Sequence, residues 1–252
     1  MFAIRKLVLF SLLTAFAATA IAQSKAPGDV SPDLPPRGGT IPIPDDGYDG
    51  TLASMACAAF VETAAGTVDD VDVTAAVEHT WIGDLVFKVV SPAGTVATVL
   101  SRPGFAEPAD DGTGCCGDSS NLALTAPLTF STTNGVYDAE TMGGSLGTGG
   151  VVCTDDGECD FIPNPGAAAD SGDLSAIFDG EDAAGTWEFC AGDSAGGDTG
   201  NLGVVQFAIA AAGGPGPIPD TQPVPMLNAI GLFVLLLLLG GLAFWTLRRA
   251  AV

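Results

Sequence analysis

The stretch Val71-Asp72-Val73-Thr74-Ala75-Ala76-Val77-Glu78-His79-Thr80-Trp81-Ile82-Gly83-Asp84-Leu85-Val86-Phe87-Lys88-Val89-Val90-Ser91-Pro92-Ala93-Gly94-Thr95 decides the fold. Val71, Val73, Ala75, Val77 and His79 fall on one face, alternating with Asp72, Thr74, Ala76 and Glu78. Leu85, Phe87 and Val89 repeat the pattern after a short break. A period of two is that of a pleated strand, and Gly83 and the Ser-Pro-Ala-Gly-Thr run supply the turns. Trp187 and Phe189 alternate further along, as do Val205, Phe207 and Ile209. No long segment has helical spacing between caps. The chain therefore reads as all-β, an antiparallel β-sandwich of the jelly-roll or galactose-binding-like kind, over residues 51–212.

Outward from this domain the composition changes. Residues 23–50 hold Pro27, Pro32, Pro35, Pro36, Pro42 and Pro44 and read as an extended linker, as do the Gly-Pro residues of 213–225. Residues 1–22 have the three parts of a secretory signal: Arg5-Lys6, an apolar run from Leu7 to Phe16, and Ala20-Ile21-Ala22 before the cleavage point. Residues 226–252 read as a transmembrane helix with a basic tail. Ala229–Leu247 is uncharged and at about 1.5 Å per residue reaches across one hydrocarbon core. Arg248 and Arg249 then stay inside, which puts residues 23–220 outside the membrane.

The chain of 252 residues carries 30 acidic against 8 basic side chains. Between residues 23 and 220 only Lys25, Arg37, Lys88 and Arg102 oppose all 30 acids, a net charge of −26. Such a surface excludes binding of nucleic acid through its phosphates. A hydrophobic fraction of 47% excludes a disordered acidic tail, although both apolar ends inflate it.

Three groups of residues carry a resemblance. The first is His79-Thr80-Trp81-Ile82-Gly83-Asp84-Leu85 with Ser91-Pro92-Ala93-Gly94-Thr95 and Leu100-Ser101-Arg102-Pro103-Gly104. The second is Phe178-Asp179-Gly180 with Ala184-Gly185-Thr186-Trp187, and the third is Gly197-Asp198-Thr199-Gly200-Asn201-Leu202. In this order they resemble the P domain (P/Homo B), the β-sandwich that follows the catalytic domain of proprotein convertases and many bacterial subtilases. The interval from Phe105 to Asp173 departs from that pattern. Gly83, Gly94, Gly180, Gly185 and Gly200 are expected at turns of positive φ, and Trp187 between the sheets. Val224-Pro225-Met226-Leu227, ahead of the apolar helix, resembles the IPTL-type C-terminal sorting signals, with Met226 as a departure. That resemblance implies an exosortase-like sorting enzyme as partner and a place at the cell envelope or outer surface. A permanent membrane anchor is the alternative.

Six cysteines in an exported chain imply up to three disulfides. Cys57 is expected to pair with Cys190, and Cys115 and Cys116 with Cys153 and Cys159, because bonding neighbours is strained. Acidic loops at Asp110-Asp111, Asp118, Asp155–Asp160, Asp179–Asp182 and Asp193–Asp198 suit calcium or are plain solvated charge. P domains often bind calcium, and Asp84 and Asp118 are the expected ligands. Gly192-Asp193-Ser194-Ala195-Gly196-Gly197 looks like the nucleophile loop of a chymotrypsin-type protease, with His79 as the sole candidate base in the chain. A tripeptide is not a triad, and His79 is expected to face inward and bond backbone, so no catalytic residue is assigned. The reading is a non-catalytic exported surface protein. The alternatives are a module for envelope glycan or extracellular polysaccharide, with Trp81, Phe105 and Tyr137 as scant aromatics, and an accessory domain docking on a separate serine endopeptidase.

Overall fold

The computed structural model describes residues 39–212. The expected signal peptide (1–22), Gly-Pro linker (213–225), sorting motif (Val224–Leu227) and transmembrane helix (226–252) all fall outside the described residues. Among the described residues, no helix is long and apolar enough to cross a membrane. The strands in chain order are β1 (Ile41–Pro42), β2 (Ala56–Glu62), β3 (Thr67–His79), β4 (Leu85–Val90), β5 (Val96–Ser101), β6 (Leu128–Ser131), β7 (Tyr137–Asp138), β8 (Asp160–Ile162), β9 (Gly185–Asp193) and β10 (Gly200–Ala212). A single turn of helix, α1 (Leu174–Phe178), precedes β9, with the Asp173 carboxylate accepting from the Ala176 amide as its N-cap.

Two sheets result, one in the order β1-β10-β3-β6-β8-β7 and the other β2-β9-β4-β5. The second is wholly antiparallel. The first is mixed, which corrects the expectation of an antiparallel sandwich, because β8 runs parallel to both β6 and β7. The cause is the interval 105–173. It contributes three short strands to one edge, and its connections are long enough to return a strand in the same direction. Within the stretch expected as linker, Ile41 pairs with Leu202, and Ile43 and Tyr48 are buried.

Aromatic side chains fill the space between the layers. Phe87 on β4 meets Phe130 on β6 edge-on at 6.0 Å, and Phe130 continues to Phe161 on β8 at 6.1 Å. Trp187, fully buried on β9, packs on Phe207 of β10 at 5.6 Å and edge-on against Phe178 at 5.1 Å. Its indole N–H donates to the Ala183 carbonyl at 2.9 Å, so the buried donor is satisfied. The expectation for Trp187 holds.

A smaller cluster lies on the outer face of the second sheet. Val86 and Val90 alternate outward from β4 and are covered by Tyr48 and Met55, beside the Cys57–Cys190 disulfide. Lys88 lies on the same face, buried. Its ammonium donates to Asp110 at 2.6 Å and sits 5.5 Å above the Tyr48 ring, whose hydroxyl also bonds Asp110. Burial first, then the Asp110 carboxylate, push the Tyr48 phenol far above its ordinary value.

Gly94, Gly180 and Gly185 adopt positive φ as expected, but Gly83 and Gly200 do not. Gly83 is required by proximity: a Cβ there would lie 2.4 Å from the backbone of Gly117 and Asp118. Phe130→Ala removes a ring that touches both sheets and is expected to cost about 3–5 kcal/mol in urea unfolding. A loss under about 1 kcal/mol would contradict this packing.

Candidate functional site

Four strand ends meet at one end of the sandwich. β3 ends at His79, β4 begins beside Asp84, β9 ends at Asp193 and β10 begins at Gly200. Register joins them, because Leu85 opposes Asp193 and Gly200 opposes His79. A Cβ on Gly200 would fall 2.5 Å from His79 Cδ2, so only glycine leaves room for the imidazole. The chain from Asp118 to Leu122 runs alongside, with Gly83 N–H donating to Asp118 O at 2.9 Å and Leu122 N–H to His79 O at 2.9 Å.

His79 is buried, and its Nε2 lies 3.2 Å from Asp193 Oδ2. Its Nδ1 faces the backbone of Trp81, 2.9 Å from the carbonyl oxygen and 3.1 Å from the amide nitrogen. With Nε2 carrying the proton, the ring donates to Asp193 and accepts from the Trp81 amide. Ser194 Oγ and its amide both donate to Asp84 O, each at 2.9 Å. Histidine and serine thus spend their hydrogen bonds on different partners. Ser194 and His79 hold neighbouring turns together.

Asp84 is 4% exposed, and its Oδ1 has no hydrogen-bond partner. Burial first, then Asp193 and Asp198, raise its carboxyl to about 6, opposed by the Cys116 amide and by His79. Asp198 is only half-buried and accepts from Thr80 Oγ1 at 2.8 Å. Asp84 is thus a buried carboxylate with one unpartnered oxygen in the field of two more carboxylates. Asp118 Oδ1 is turned back on the Ser120 amide and hydroxyl at 2.8 and 2.6 Å. Asp193 and Asp198 act on Asp84 through their charge. Their neighbourhood depends on strand register and is invisible in spacing. Among the described residues the one tight group of three potential ligands is Cys57, Glu188 and Cys190, whose sulfurs are joined to each other.

Several other acids in the expected loops are occupied by turns. Asp111 accepts from the Thr113 amide, Asp156 from those of Cys153 and Glu158, and Asp182 from that of Ala184. A second raised carboxyl, which the sequence reading did not single out, is Glu140. Burial, with Asp138 and Glu107 nearby, lifts it to about 7 against the Gly104 amide. The aromatics considered for sugar are half-buried parts of the scaffold: Phe105 lies under the Arg102 guanidinium at 4.3 Å, and Tyr137 packs on Phe161.

The disulfides are Cys57–Cys190, Cys115–Cys116 and Cys153–Cys159. The first is as expected and joins residues directly opposed on β2 and β9. The pairing of Cys115 and Cys116 with Cys153 and Cys159 is corrected. A turn closed by Asp156 brings Cys153 and Cys159 together, with Cα atoms 4.6 Å apart, which leaves the neighbours to each other.

The segment from β3 through the Asp84 turn, β4 and β5 is also where a known family is recognised. The model of the proprotein convertase P-domain matches residues 68–114. No curated protein matches the chain. Among solved structures, the serine protease of Aeromonas sobria is 19% identical with a TM-score of 0.36, covering 68% of this chain and 25% of that one. The same protease in complex with its chaperone is 19% identical with a TM-score of 0.35, covering 67% and 24%. The chain thus spans about a quarter of the length of those proteins. The P-domain match ends at Gly114, just before the paired cysteines.

An aspartate unfolded in water titrates near 3.8, whereas the folded Asp84 holds its proton to about 6. The stability linked to Asp84 is therefore full below the lower value and is lost as pH rises through the upper one. In chelator-containing buffer, Asp84→Asn is expected to raise Tm by a few degrees at pH about 7.5 and to leave it unchanged near pH 4. Calorimetry showing the same change at both pH values would contradict the buried-carboxyl assignment.

Proposed function

We propose that this domain is a non-catalytic module of an exported protein, a P-domain-like sandwich delivered to the cell envelope through the C-terminal signal and presented at the outer surface. The observation that carries the reading is the way the protease-like residues are used. His79, the only histidine of the chain, is bonded to Asp193 and Trp81, and Ser194 is bonded to Asp84, both inside the scaffold. Nucleophilic catalysis needs the serine within reach of its base and an oxyanion site besides. A fluorophosphonate probe is expected to leave Ser194 unlabelled, and labelling lost in Ser194→Ala would refute the reading. Mass spectrometry of the mature C-terminus distinguishes a processed signal, ending before Val252, from a retained anchor.

The P-domain match favours a second, compatible role, that of an accessory domain docking on a separately encoded serine endopeptidase. Co-purification of such an enzyme from the native envelope supports it. Recovery of the domain with envelope polysaccharide alone would favour glycan binding instead.

Calcium is proposed at Asp84, on the strength of the unpartnered Oδ1 and of the nearby negative charge of Asp193 and Asp198. The ion would cancel the mutual repulsion of these carboxylates. Added Ca²⁺ is expected to raise Tm relative to chelator in the native chain and in Asp118→Asn, but not in Asp84→Asn. An unchanged Tm in the native chain would refute calcium binding.

A further inference from the structure

The Cys115–Cys116 disulfide has no part in the reading above, and its setting differs from that of the other two. Cys190 is fully buried and Cys57 half-buried, and Cys153 and Cys159 are both half-buried. Cys115 and Cys116 are both exposed. Thiol–disulfide exchange requires a thiolate to approach along the sulfur–sulfur axis, so access orders the three bonds. Adjacency adds a second constraint. The bond closes a ring over a single peptide unit, the smallest loop that a disulfide can close in a chain. Cys116 has φ 82°, a left-handed conformation that a residue with a Cβ keeps only when its surroundings impose it.

Those surroundings are firm on both sides. Before the pair, the buried Arg102 guanidinium donates to Thr113 O at 2.6 Å and Gly114 O at 2.5 Å. After it, Asp118 N–H donates to Pro103 O at 2.7 Å and Asp118 O accepts from Gly83 N–H. Opening the ring therefore frees the two cysteines without requiring the flanks to detach. What the ring fixes directly is the Cys116 amide, which faces the Asp84 carboxylate and favours its charged form.

We propose that Cys115–Cys116 is a thiol-exchange site that takes two electrons from a dithiol and, when reduced, releases the Cys116 amide from Asp84. One thiolate of the dithiol attacks a sulfur of the pair, forming a mixed disulfide and expelling the neighbouring cysteine as a thiolate, which takes up a proton. The second thiol of the reagent then attacks the mixed disulfide. It leaves as the cyclic or paired disulfide, and the remaining cysteine departs and is protonated. The protein gains two hydrogens and the dithiol loses two.

The test is a titration of the native, folded chain with dithiothreitol, followed by alkylation and peptide mass spectrometry. Cys115 and Cys116 are expected to be alkylated at a dithiothreitol concentration at least about tenfold below that needed for either other pair. Hydrogen exchange at Gly83, Asp84 and Cys116 is expected to quicken at the same step, and Cys115→Ser with Cys116→Ser to show that faster exchange without reductant. Simultaneous reduction of all three bonds would overturn the proposal. So would selective reduction that leaves exchange at Asp84 unchanged, or a peptide joining Cys115 to Cys153 or Cys159 in the native chain.

Discussion

The ladder between β3 and β10 is the constraint from which the rest follows. It pairs His79 with Gly200 at one end and Thr67 with Ala212 at the other, with irregularities between Leu202 and Val205 and between Ala210 and Ala211. With β6 on its far side, β3 is a central strand, and its buried positions include Asp72 and Thr74 as well as the valines. A one-residue slip would turn Val71, Val73 and Val77 away from the aromatic layer and carry His79 off Asp193. The position of the acidic end is thus set by the same register that builds the core.

Much of this architecture was legible from residue alternation. Strict period two in Val71–His79 and Leu85–Val89 announced the two central strands, and β9 and β10 followed from Trp187, Phe189 and Val205–Ile209. The Cys57–Cys190 bond was readable because both residues sit in strands. The interval 105–173 was not readable. Its strands are two to four residues long, too short to show a period; they pair in parallel with one another and join the rest of the sheet only through β6 on β3. Asp84 stood out by its motif, whereas its neighbours Asp193 and Asp198 came from another strand and the following turn. Gly83 and Gly200 were recognised as indispensable, yet for the wrong reason. Close approach of another chain segment, not φ, forbids a side chain at either position.

The abundance of acids has two separate physical meanings here. Many aspartates close turns, where a short carboxylate accepts from an amide two or three residues on. Asp84 is instead buried with one carboxylate oxygen unpartnered, and burial together with the charges of Asp193 and Asp198 raises its pKa.

The two basic side chains between Gly39 and Ala212, Lys88 and Arg102, are both buried, one against Asp110 and Tyr48 and the other beneath the 113–114 backbone. A trypsin-like protease needs such a side chain exposed, on a backbone able to unfold into its cleft. Of the two bonds that follow them, Arg102–Pro103 is refractory because proline comes next, and Lys88–Val89 lies within β4, so digestion there must wait for unfolding. Between Gly39 and Ala212, burying both cations doubles as a form of armour.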